Sequence, residues 1–271
     1  MFKLKNQEIG VLIVLYNKEL HESLTLTSLL KQVSNIDKLI IWNNGPLDIY
    51  DTNKVFDHKK VDIINSKENK SLSEIYNWFL NTLLLDKYFI FDDDTLISDN
   101  LVELAKDTNS ELIIPQVIDN GGFCYPIYYN GSVVNQGYSS NKILSIGSGL
   151  CLDKRLVNKL KVKYESIFDE RFSFYGVDTT FFFRIATLDN INVNVLGTIT
   201  HSLSKNILES KETSQFRQQE RAKDLALQIR YYFKFVSIKS ALGFVLRAIK
   251  SKNFMAVTLF FKYLILGTQK K

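Results

Sequence analysis

The stretch Tyr88-Phe89-Ile90-Phe91-Asp92-Asp93-Asp94-Thr95 joins four large apolar residues directly to three consecutive carboxylates. A short apolar run of this kind predicts a buried strand. Carboxylates crowded at its end repel one another and raise each other's pKa, and a bound cation would relieve that repulsion. Mg²⁺ and Mn²⁺ take carboxylate oxygens and usually also hold a substrate phosphate. The alternative is an acidic turn that caps the next helix, and the stretch alone leaves both interpretations open.

Apolar runs and helical stripes alternate along the first third of the chain. The apolar runs predict strands over residues 9–15, 38–42, 61–64 and 87–91. Helical spacing predicts helices over residues 21–33 and 71–85, and the second of these begins with a capping box formed by Ser71 and Glu74. Strands and helices at such short intervals are typical of a parallel α/β sheet.

Polar residues stand at the end of each of these strands. They are Tyr16-Asn17, Asn43-Asn44, residues 66–70, and Asp92 to Asp94. In open α/β sheets, ligands bind outside the carboxyl ends of the strands. We therefore expect the three carboxylates to share a cleft with three loops that carry asparagine.

Four motifs resemble the nucleotide-sugar half of the family 2 glycosyltransferases. They are Leu15-Tyr16-Asn17-Lys18, Ile40-Ile41-Trp42-Asn43-Asn44-Gly45, Asn69-Lys70-Ser71-Leu72-Ser73 with Tyr76-Asn77, and Phe91-Asp92-Asp93-Asp94. The resemblance implies the GT-A fold, a Rossmann-like mixed α/β sheet flanked by helices, and inversion of the anomeric centre. In that family an Asp-x-Asp element holds a divalent metal, Mn²⁺ or Mg²⁺, on the donor diphosphate. By resemblance Asp94 would bind the metal, Asp92 would face the ribose and share in the metal site, and Asp93 would serve either task.

The same resemblance implies the contacts to the donor. They would come from Tyr16, Asn17, Asn43, Asn69, Lys70 and Asn77, together with Asp92 and Asp93. The chain departs from the family pattern at Asn43, where Asp is usual, and at Val14, where many relatives have Thr. Because Asn43 leaves no rule for the base, the expected donor is either dTDP-rhamnose or a UDP-hexose.

The middle of the chain is irregular. A further strand is expected over residues 111–117, and residues 118–141 are rich in Gly, Tyr and Asn without a clear period. This segment predicts either a long surface loop or a β-excursion, and loops of that length are often binding elements. Its tyrosines can stack on sugar rings. They are Tyr125, Tyr128, Tyr129 and Tyr138.

An aromatic-rich turn then brings Asp178 to the start of a helix predicted over residues 179–188. From the residues alone, Asp178 is either the N-cap of that helix or a general base. The segment from Ser148-Gly149 through Phe168-Asp169-Glu170 to Val177-Asp178 and Arg184 resembles the acceptor half of the same family, above all its rhamnosyltransferase-like branch. The resemblance implies Asp178 as the base that deprotonates the acceptor hydroxyl. It also implies acceptor contacts from Ser148, Gly149 and Tyr175.

One histidine and two cysteines complete the candidate residues. His201 follows a strand predicted over residues 192–199, and it is either structural or, as the resemblance implies, the third metal ligand. Cys124 and Cys151 have neither metal-site nor redox spacing, so we expect reduced thiols.

The charge is unevenly distributed. Residues 225–271 contain nine Lys or Arg and no Asp or Glu, whereas the whole chain has a net charge of +5, so the remainder is net negative. The aromatic and basic content of this segment favours amphipathic helices on a membrane surface. The alternative is helices packed on the catalytic domain with an exposed basic face. Residues 254–266 are too few to span a bilayer, and no nucleic-acid-binding motif accompanies the charge.

These observations predict a GT-A catalytic domain over residues 1–204, with a nucleotide-sugar half (1–117) and an acceptor half (118–204). A helical, basic, membrane-associating region follows over residues 205–271. The N-terminus lacks the apolar core of a signal peptide, so the expected location is cytoplasmic, on the inner face of the cell membrane. The expected activity is transfer of a sugar to a hydroxyl of a glycan or lipid-linked glycan, in synthesis of a bacterial O-antigen or capsule.

Two alternatives remain open. One is a metal-dependent nucleotidyltransferase or phosphohydrolase on a similar sheet, although the Gly-rich phosphate loop expected after the first strand is missing from residues 11–18. The other is a non-catalytic, membrane-bound module that binds a sugar nucleotide.

Overall fold

The computed structural model describes residues 7–51, 60–98, 100–202 and 211–269. Over these ranges the chain forms a ten-stranded mixed sheet with helices on both faces, and three further helices follow. The predicted fold class, a mixed α/β sheet flanked by helices with a helical C-terminal region, is confirmed. The predicted boundary between residues 204 and 205 lies outside the described residues.

The first half of the sheet is parallel, as the spacing of its strands predicts. Its strands are β1 (Ile9–Leu15), β2 (Lys38–Asn43), β3 (Val61–Asn65) and β4 (Lys87–Asp92). They lie in the order β3-β2-β1-β4, and each hydrogen-bonded pair is parallel. All seven residues of β1 are buried. The carboxyl ends of these strands therefore meet at one edge of the sheet.

The two predicted helices of this half form differently. Residues 21–33 do not form one helix: α1 (Leu24–Leu29) lies between two short 3₁₀ turns, because Ser23 caps a new helix start by accepting from the Leu26 N–H at 3.1 Å. In contrast, α2 (Leu72–Thr82) has the predicted N-cap, with Ser71 Oγ accepting from the Glu74 N–H at 3.3 Å. It ends three residues before the predicted limit.

The second half of the sheet is mixed, and the parallel arrangement that the spacing of the first four strands predicted ends at β4. The sheet continues in the order β4-β11-β6-β12-β5, and β11 is antiparallel to both of its neighbours. The elements are β5 (Thr95–Ile97), α3 (Leu101–Lys106), β6 (Leu112–Asp119), β7 (Gly122–Tyr125), β8 (Ile127–Tyr128), β9 (Gly137–Ser139), β10 (Ile143–Leu144), β11 (Leu150–Asp153), α4 (Lys154–Tyr164), α5 (Val177–Ile185) and β12 (Val193–His201).

The irregular middle segment is a β-excursion rather than a surface loop. Strand β7 forms a hairpin with β6, β8 pairs with β10, and β9 pairs with β12. The strands are short, and β8 and β9 pair with strands further along the chain, so no local period marks them. Cys151 is buried in the sheet as a free thiol, as expected.

Two hydrophobic clusters hold the helices to the sheet. One contains residues of α2, α4 and α5 and one face of the strands, including Phe79, Leu156 and Phe181. The other lies on the opposite face and contains residues of α1 and α3, including Leu26 and Leu101. Side chains of a strand alternate between faces, so β1 contributes to both clusters.

The C-terminal helices are α6 (Lys211–Tyr231), α7 (Ile238–Lys250) and α8 (Phe254–Leu266). They pack on one another through small side chains and one ring: Ala222, Ala226, Ala241, Ala248, Ala256 and Phe260. The end of α6 is fixed to the sheet domain because the Tyr232 hydroxyl donates to Asp169 Oδ2 at 2.7 Å. Among the residues described, none of the helices has the length and hydrophobicity that crossing a membrane requires.

Candidate active site

Asp92, Asp94 and His201 meet at the carboxyl edge of the sheet. Asp92 ends β4, and the tight turn after it carries Asp94 into β5. Strand β12 pairs with β5 so that His201 lies opposite Thr95. One ligand atom from each of the three side chains lies within 4.8 Å of the others, and His201 Nδ1 is 3.2 Å from Asp94 Oδ1. His201 is the last residue of β12, so it belongs to the strand that was expected to precede it.

Buried hydroxyls fix the geometry of this Asp-Asp-His cluster. Thr95 Oγ1 lies 3.0 Å from His201 Nδ1 and 2.6 Å from Ser148 Oγ. The backbone N–H of Asp92 donates to Ser148 Oγ at 3.1 Å. Ser148, expected to contact the acceptor, is thus buried behind the cluster and connects two of its strands.

The electrostatics of the cluster favour a cation. Burial, opposed by the charge of His201 and assisted by the charges of Asp94 and Asp178, raises the pKa of Asp92 to about 6. A divalent cation would lower the pKa of Asp92 again, because a nearby positive charge stabilises the ionised carboxylates. Two carboxylates and one imidazole form a donor set that suits Mn²⁺-class ions. The residues present therefore fit the metal that the sequence implied.

Asp93 is paired with a lysine and is not a member of the Asp-Asp-His cluster. Its Oδ1 forms an ion pair with Lys18 Nζ at 2.7 Å, which connects the loop after β1 to the turn after β4. Burial raises the pKa of Asp93, and the hydrogen bond from Lys18 opposes that rise. The cation that Asp93 contacts is therefore the ammonium group of Lys18. The sequence had left open whether Asp93 binds the ribose or the metal.

The asparagines at the strand ends shape the loops. Asn43 is buried, and its Nδ2 donates to Leu47 O at 2.6 Å and to Asn65 Oδ1 at 2.7 Å. Asn44 connects the loop after β2 to the loop before α2, since it accepts from the Lys70 N–H at 2.8 Å and donates to Lys70 O at 2.9 Å. The sequence placed Asn44 at a strand end beside the cleft but gave it no role of its own.

Asn77 also has an internal partner. Its Oδ1 accepts from the Phe168 N–H, and its Nδ2 donates to the Phe168 carbonyl, each at 2.9 Å. This pair of hydrogen bonds fixes α2 to the segment before α5. Asn77 thereby supports the acceptor half of the molecule, whereas the resemblance implied a contact with the donor.

The other expected donor residues line two cavities. Asn17 and Lys18 line a cavity of about 190 Å³ that lies between the loops after β1 and β2. Asn69 and Lys70 line another, of about 750 Å³, together with Trp42. Tyr16 is exposed beside the end of β1.

Asp178 lies in the first turn of α5, two residues past the N-cap Gly176. The helix begins at Val177 because Gly176 adopts a φ of 80° and ends the preceding turn. The carboxylate of Asp178 accepts from the Thr179 N–H at 2.9 Å. Burial raises its pKa, while the backbone N–H groups of Thr179 and Gly147 lower it. A partly buried carboxylate of raised pKa is suited to accept a proton.

A cavity of about 560 Å³ extends from Asp178 to Asp92 of the Asp-Asp-His cluster. Asp92 and Asp178 both line it, and so does Tyr175, an expected acceptor contact. Gly149 lies beneath the cluster, where a Cβ would be 2.6 Å from Pro115 Cγ. We call this space the Asp178 cavity.

Sequence reasoning missed the residues that α6 and α7 contribute to the Asp178 cavity. They are Arg221, Asp224, Leu225 and Phe244. Burial raises the pKa of Asp224 to about 7, with a hydrogen bond from Gln228 opposing and the charge of Asp178 adding to the rise. In the sequence nothing distinguishes Arg221 and Asp224 from the other charges of a long polar helix.

The chain matches neither a protein-family model nor a curated protein. Its fold is similar to crystal structures of S. aureus TarS. The TarS 1–349 complex with UDP-GlcNAc has a TM-score of 0.57 and 13% identity, covering 94% of this chain and 80% of that one. The complex with UDP gives 0.54 and 12%, covering 95% and 89%. A further TarS structure gives 0.51 and 14%, covering 83% of this chain but only 44% of the TarS chain. This likeness shows the GT-A-like fold.

Proposed function

We propose that this chain is a metal-dependent, inverting glycosyltransferase that moves a sugar from a nucleotide diphosphate sugar to a hydroxyl. One observation carries the proposal: Asp92, a member of the Asp-Asp-His cluster, and Asp178 border the same cavity on a GT-A-like sheet. A leaving-group site and a base are what such a transfer needs. The TarS structure with UDP-GlcNAc supports it, since a protein of this fold binds a nucleotide sugar.

In this reaction the chain holds the donor at the carboxyl edge of the sheet. Asp94, Asp92 and His201 would bind Mn²⁺ or Mg²⁺, which when present neutralises the charge of the departing diphosphate. Thr95 and Ser148 hold these ligands at their hydrogen-bonded distances. Because their positions are set before the donor arrives, the site needs little reorganisation when charge develops.

Asp178 would accept the proton of the acceptor hydroxyl as that oxygen attacks the anomeric carbon. A single displacement of this kind inverts the anomeric centre. The two N–H groups that bind the Asp178 carboxylate orient it, and its raised pKa strengthens it as a base.

The donor we propose is dTDP-rhamnose or a UDP-hexose, and the acceptor is a glycan or a lipid-linked glycan of a bacterial surface polysaccharide. The resemblance of residues 148–184 to the rhamnosyltransferase-like branch supports rhamnose. The buried amide of Asn43 lies beside the small cavity at the ends of β1 and β2, and it would replace the usual carboxylate near the base.

The exposed side chains of the C-terminal helices support a location of the protein on the inner face of the cell membrane. On α7, Ile238, Leu242, Leu246 and Ile249 recur every three or four residues and are all exposed. On α8, Phe254, Met255, Phe261, Ile265 and Leu266 are exposed as well. Basic residues surround these apolar side chains, and no acid occurs from residue 225 onward. An apolar surface with a basic surround fits an anionic membrane.

A thermal-shift panel tests the proposal, because a ligand that binds only the native state raises the unfolding temperature. Candidate donors are dTDP-rhamnose, UDP-glucose and UDP-GlcNAc, each with and without Mn²⁺. We expect one of them to raise the unfolding temperature only when Mn²⁺ is present.

A product assay separates the two enzyme classes. Release of a nucleoside diphosphate identifies glycosyl transfer, whereas release of pyrophosphate would indicate a nucleotidyltransferase and contradict the proposal.

A further inference from the structure

Helix α6 forms one wall of the Asp178 cavity. It contributes Arg221, Asp224 and Leu225, and α7 contributes Phe244. The C-terminal region, which the sequence predicted as a membrane-associating segment, thus reaches the residue proposed as the base. The side chains that face Asp178 from α6 decide what fits beside it.

Asp224 is in close contact with the start of α5. A Cβ placed on Gly176 would lie 1.9 Å from Asp224 Oδ1, so the carboxylate rests directly on the backbone two residues before Asp178. Gln228 Nε2 donates to Asp224 Oδ1 at 2.7 Å and orients the carboxylate. The side chain is therefore held in place rather than extended into solvent.

Arg221 stands one helical turn from Asp224, beside an aromatic ring. Its guanidinium carbon is 5.9 Å from the centroid of the Tyr175 ring, and Tyr175 lines the same cavity. The wall therefore presents a carboxylate, a guanidinium and aromatic rings to one space. Vicinal hydroxyls donate well to a carboxylate and accept from a guanidinium, and ring faces pack on the C–H face of a sugar.

We propose that Asp224 and Arg221 bind the hydroxyls of a saccharide acceptor and determine which acceptor is used. This inference rests on the proposed function, since it names the substrate class of the same cavity. A second cation is disfavoured because the Arg221 guanidinium lies beside the carboxylates. A purely lipid acceptor end is disfavoured because charged groups occupy the wall.

Saturation-transfer NMR tests this wall directly, since it detects weak binding without requiring turnover. The probes are methyl α-L-rhamnoside, methyl β-D-glucoside, methyl β-D-galactoside and methyl N-acetyl-β-D-glucosaminide, with UDP and Mn²⁺ present. We expect the wild-type protein to bind at least one of them. Asp224→Asn, which keeps the size of the side chain, should weaken that binding at least tenfold. Arg221→Gln, at an exposed position, should weaken it similarly, and Asp189→Asn on an exposed loop should leave it unchanged.

Two outcomes would overturn the inference: no saccharide bound by the wild-type protein, or equal binding by wild type, Asp224→Asn and Arg221→Gln. The shift in unfolding temperature caused by UDP with Mn²⁺ is measured on the same samples. We expect it to be the same in all variants. If saccharides bind but no nucleotide does, the proposed function fails while the saccharide wall stands, so the two failures are distinguishable.

Discussion

Asp178 and Asp92 border one cavity from two different elements. Both have a raised pKa for which burial is the largest cause. Their environments differ in what opposes that rise. Backbone N–H groups stabilise Asp178, whereas Asp92 has two neighbours, Asp94 and His201, with which it can share a metal ion. This difference supports the proposal that Asp178 is the base and that the cluster holds the leaving group.

Asp178→Asn tests the base. The amide keeps the size of the side chain but cannot accept the proton, so we expect transfer to fall by about 10²–10⁴-fold. Binding of UDP and Mn²⁺ should be retained, as measured by calorimetry. Transfer at the wild-type rate would contradict the assignment, and Asp189→Asn serves as the exposed control.

At this scale the sequence predicted residue types better than side-chain directions. Asp92, Asp94, His201 and Asp178 could be picked out because their chemistry is unusual at strand and helix ends. Ser148 could also be picked out, but a strand-end position does not reveal whether a side chain faces the ligand or the layer behind it. Asn43 and Asn77 likewise turned inward, where backbone groups needed partners.

Among the elements, a buried network joins α5 to the end of α6. The Asp169 carboxylate accepts from Arg171 at 2.5 Å and from the Tyr232 hydroxyl at 2.7 Å, and it lies 3.3 Å from Arg184. Arg184 Nε donates to the Tyr232 hydroxyl at 2.9 Å. This buried network holds α6 against α5, and so it positions Asp224 opposite Asp178.

Asp169→Asn should therefore be strongly destabilising. Removing one charge of a buried pair leaves its partners uncompensated, which costs about 3–5 kcal/mol. Urea unfolding measures the loss. Asp189→Asn, on an exposed loop, should change the free energy of unfolding by less than about 0.5 kcal/mol. A loss below about 1 kcal/mol for Asp169→Asn would show that the network is not needed for stability.

The pH dependence of this network follows from the lowered pKa of Asp169. Burial alone would raise that pKa, but Arg171, Arg184 and Tyr232 together outweigh burial. A carboxyl group whose pKa is lower in the folded state stabilises the protein above its unfolded-state pKa of about 3.9. That contribution is lost as the pH falls through the lower folded value, so the difference between wild type and Asp169→Asn should shrink in acid.

Elements with a strong local signal were predicted well, and elements that depend on distant partners were not. The apolar run of β1 and the Ser71 cap of α2 are local features, and both were found. Strand β11 gives no sign in the sequence that it is inserted antiparallel between β4 and β6. Strand β5 has only three residues, and it becomes a strand because β12 pairs with it.

Among the described residues of the whole molecule, α7 and α8 each expose several large apolar side chains. Leu246 is 65% exposed and Ile265 is 75% exposed. Lys239, Arg247 and Lys250 are exposed on α7 as well. The sequence predicted helices with aromatic and basic residues here. It could not show which side chains face outward, because that depends on how the alanines of α7 and α8 pack on α6.

A triple variant of the exposed apolar surface tests membrane contact. It combines Leu242→Gln, Leu246→Gln and Ile265→Gln. We expect this triple variant to bind vesicles of phosphatidylcholine and phosphatidylglycerol at least tenfold more weakly than wild type, because less apolar area enters the bilayer. Co-sedimentation measures binding, and added salt should weaken it.

The matched control is Leu84→Gln with Val162→Gln, two side chains that are 93% and 89% exposed away from these helices. It should bind vesicles as wild type does. Equal binding by the triple variant would contradict membrane contact. If light scattering showed that wild type self-associates and the triple variant does not, the surface would instead be an interface with a second copy of the chain.

Metal-dependent binding of the donor nucleotide at the Asp-Asp-His cluster is the central claim, and calorimetric titration tests it most directly. UDP and dTDP are each titrated into wild type and into Asp94→Ala, with and without Mn²⁺. We expect wild type to bind at least one nucleotide at least tenfold more tightly with Mn²⁺, and Asp94→Ala to lose this difference. Nucleotide binding that is the same with and without Mn²⁺, or a metal effect unchanged in Asp94→Ala, would contradict it.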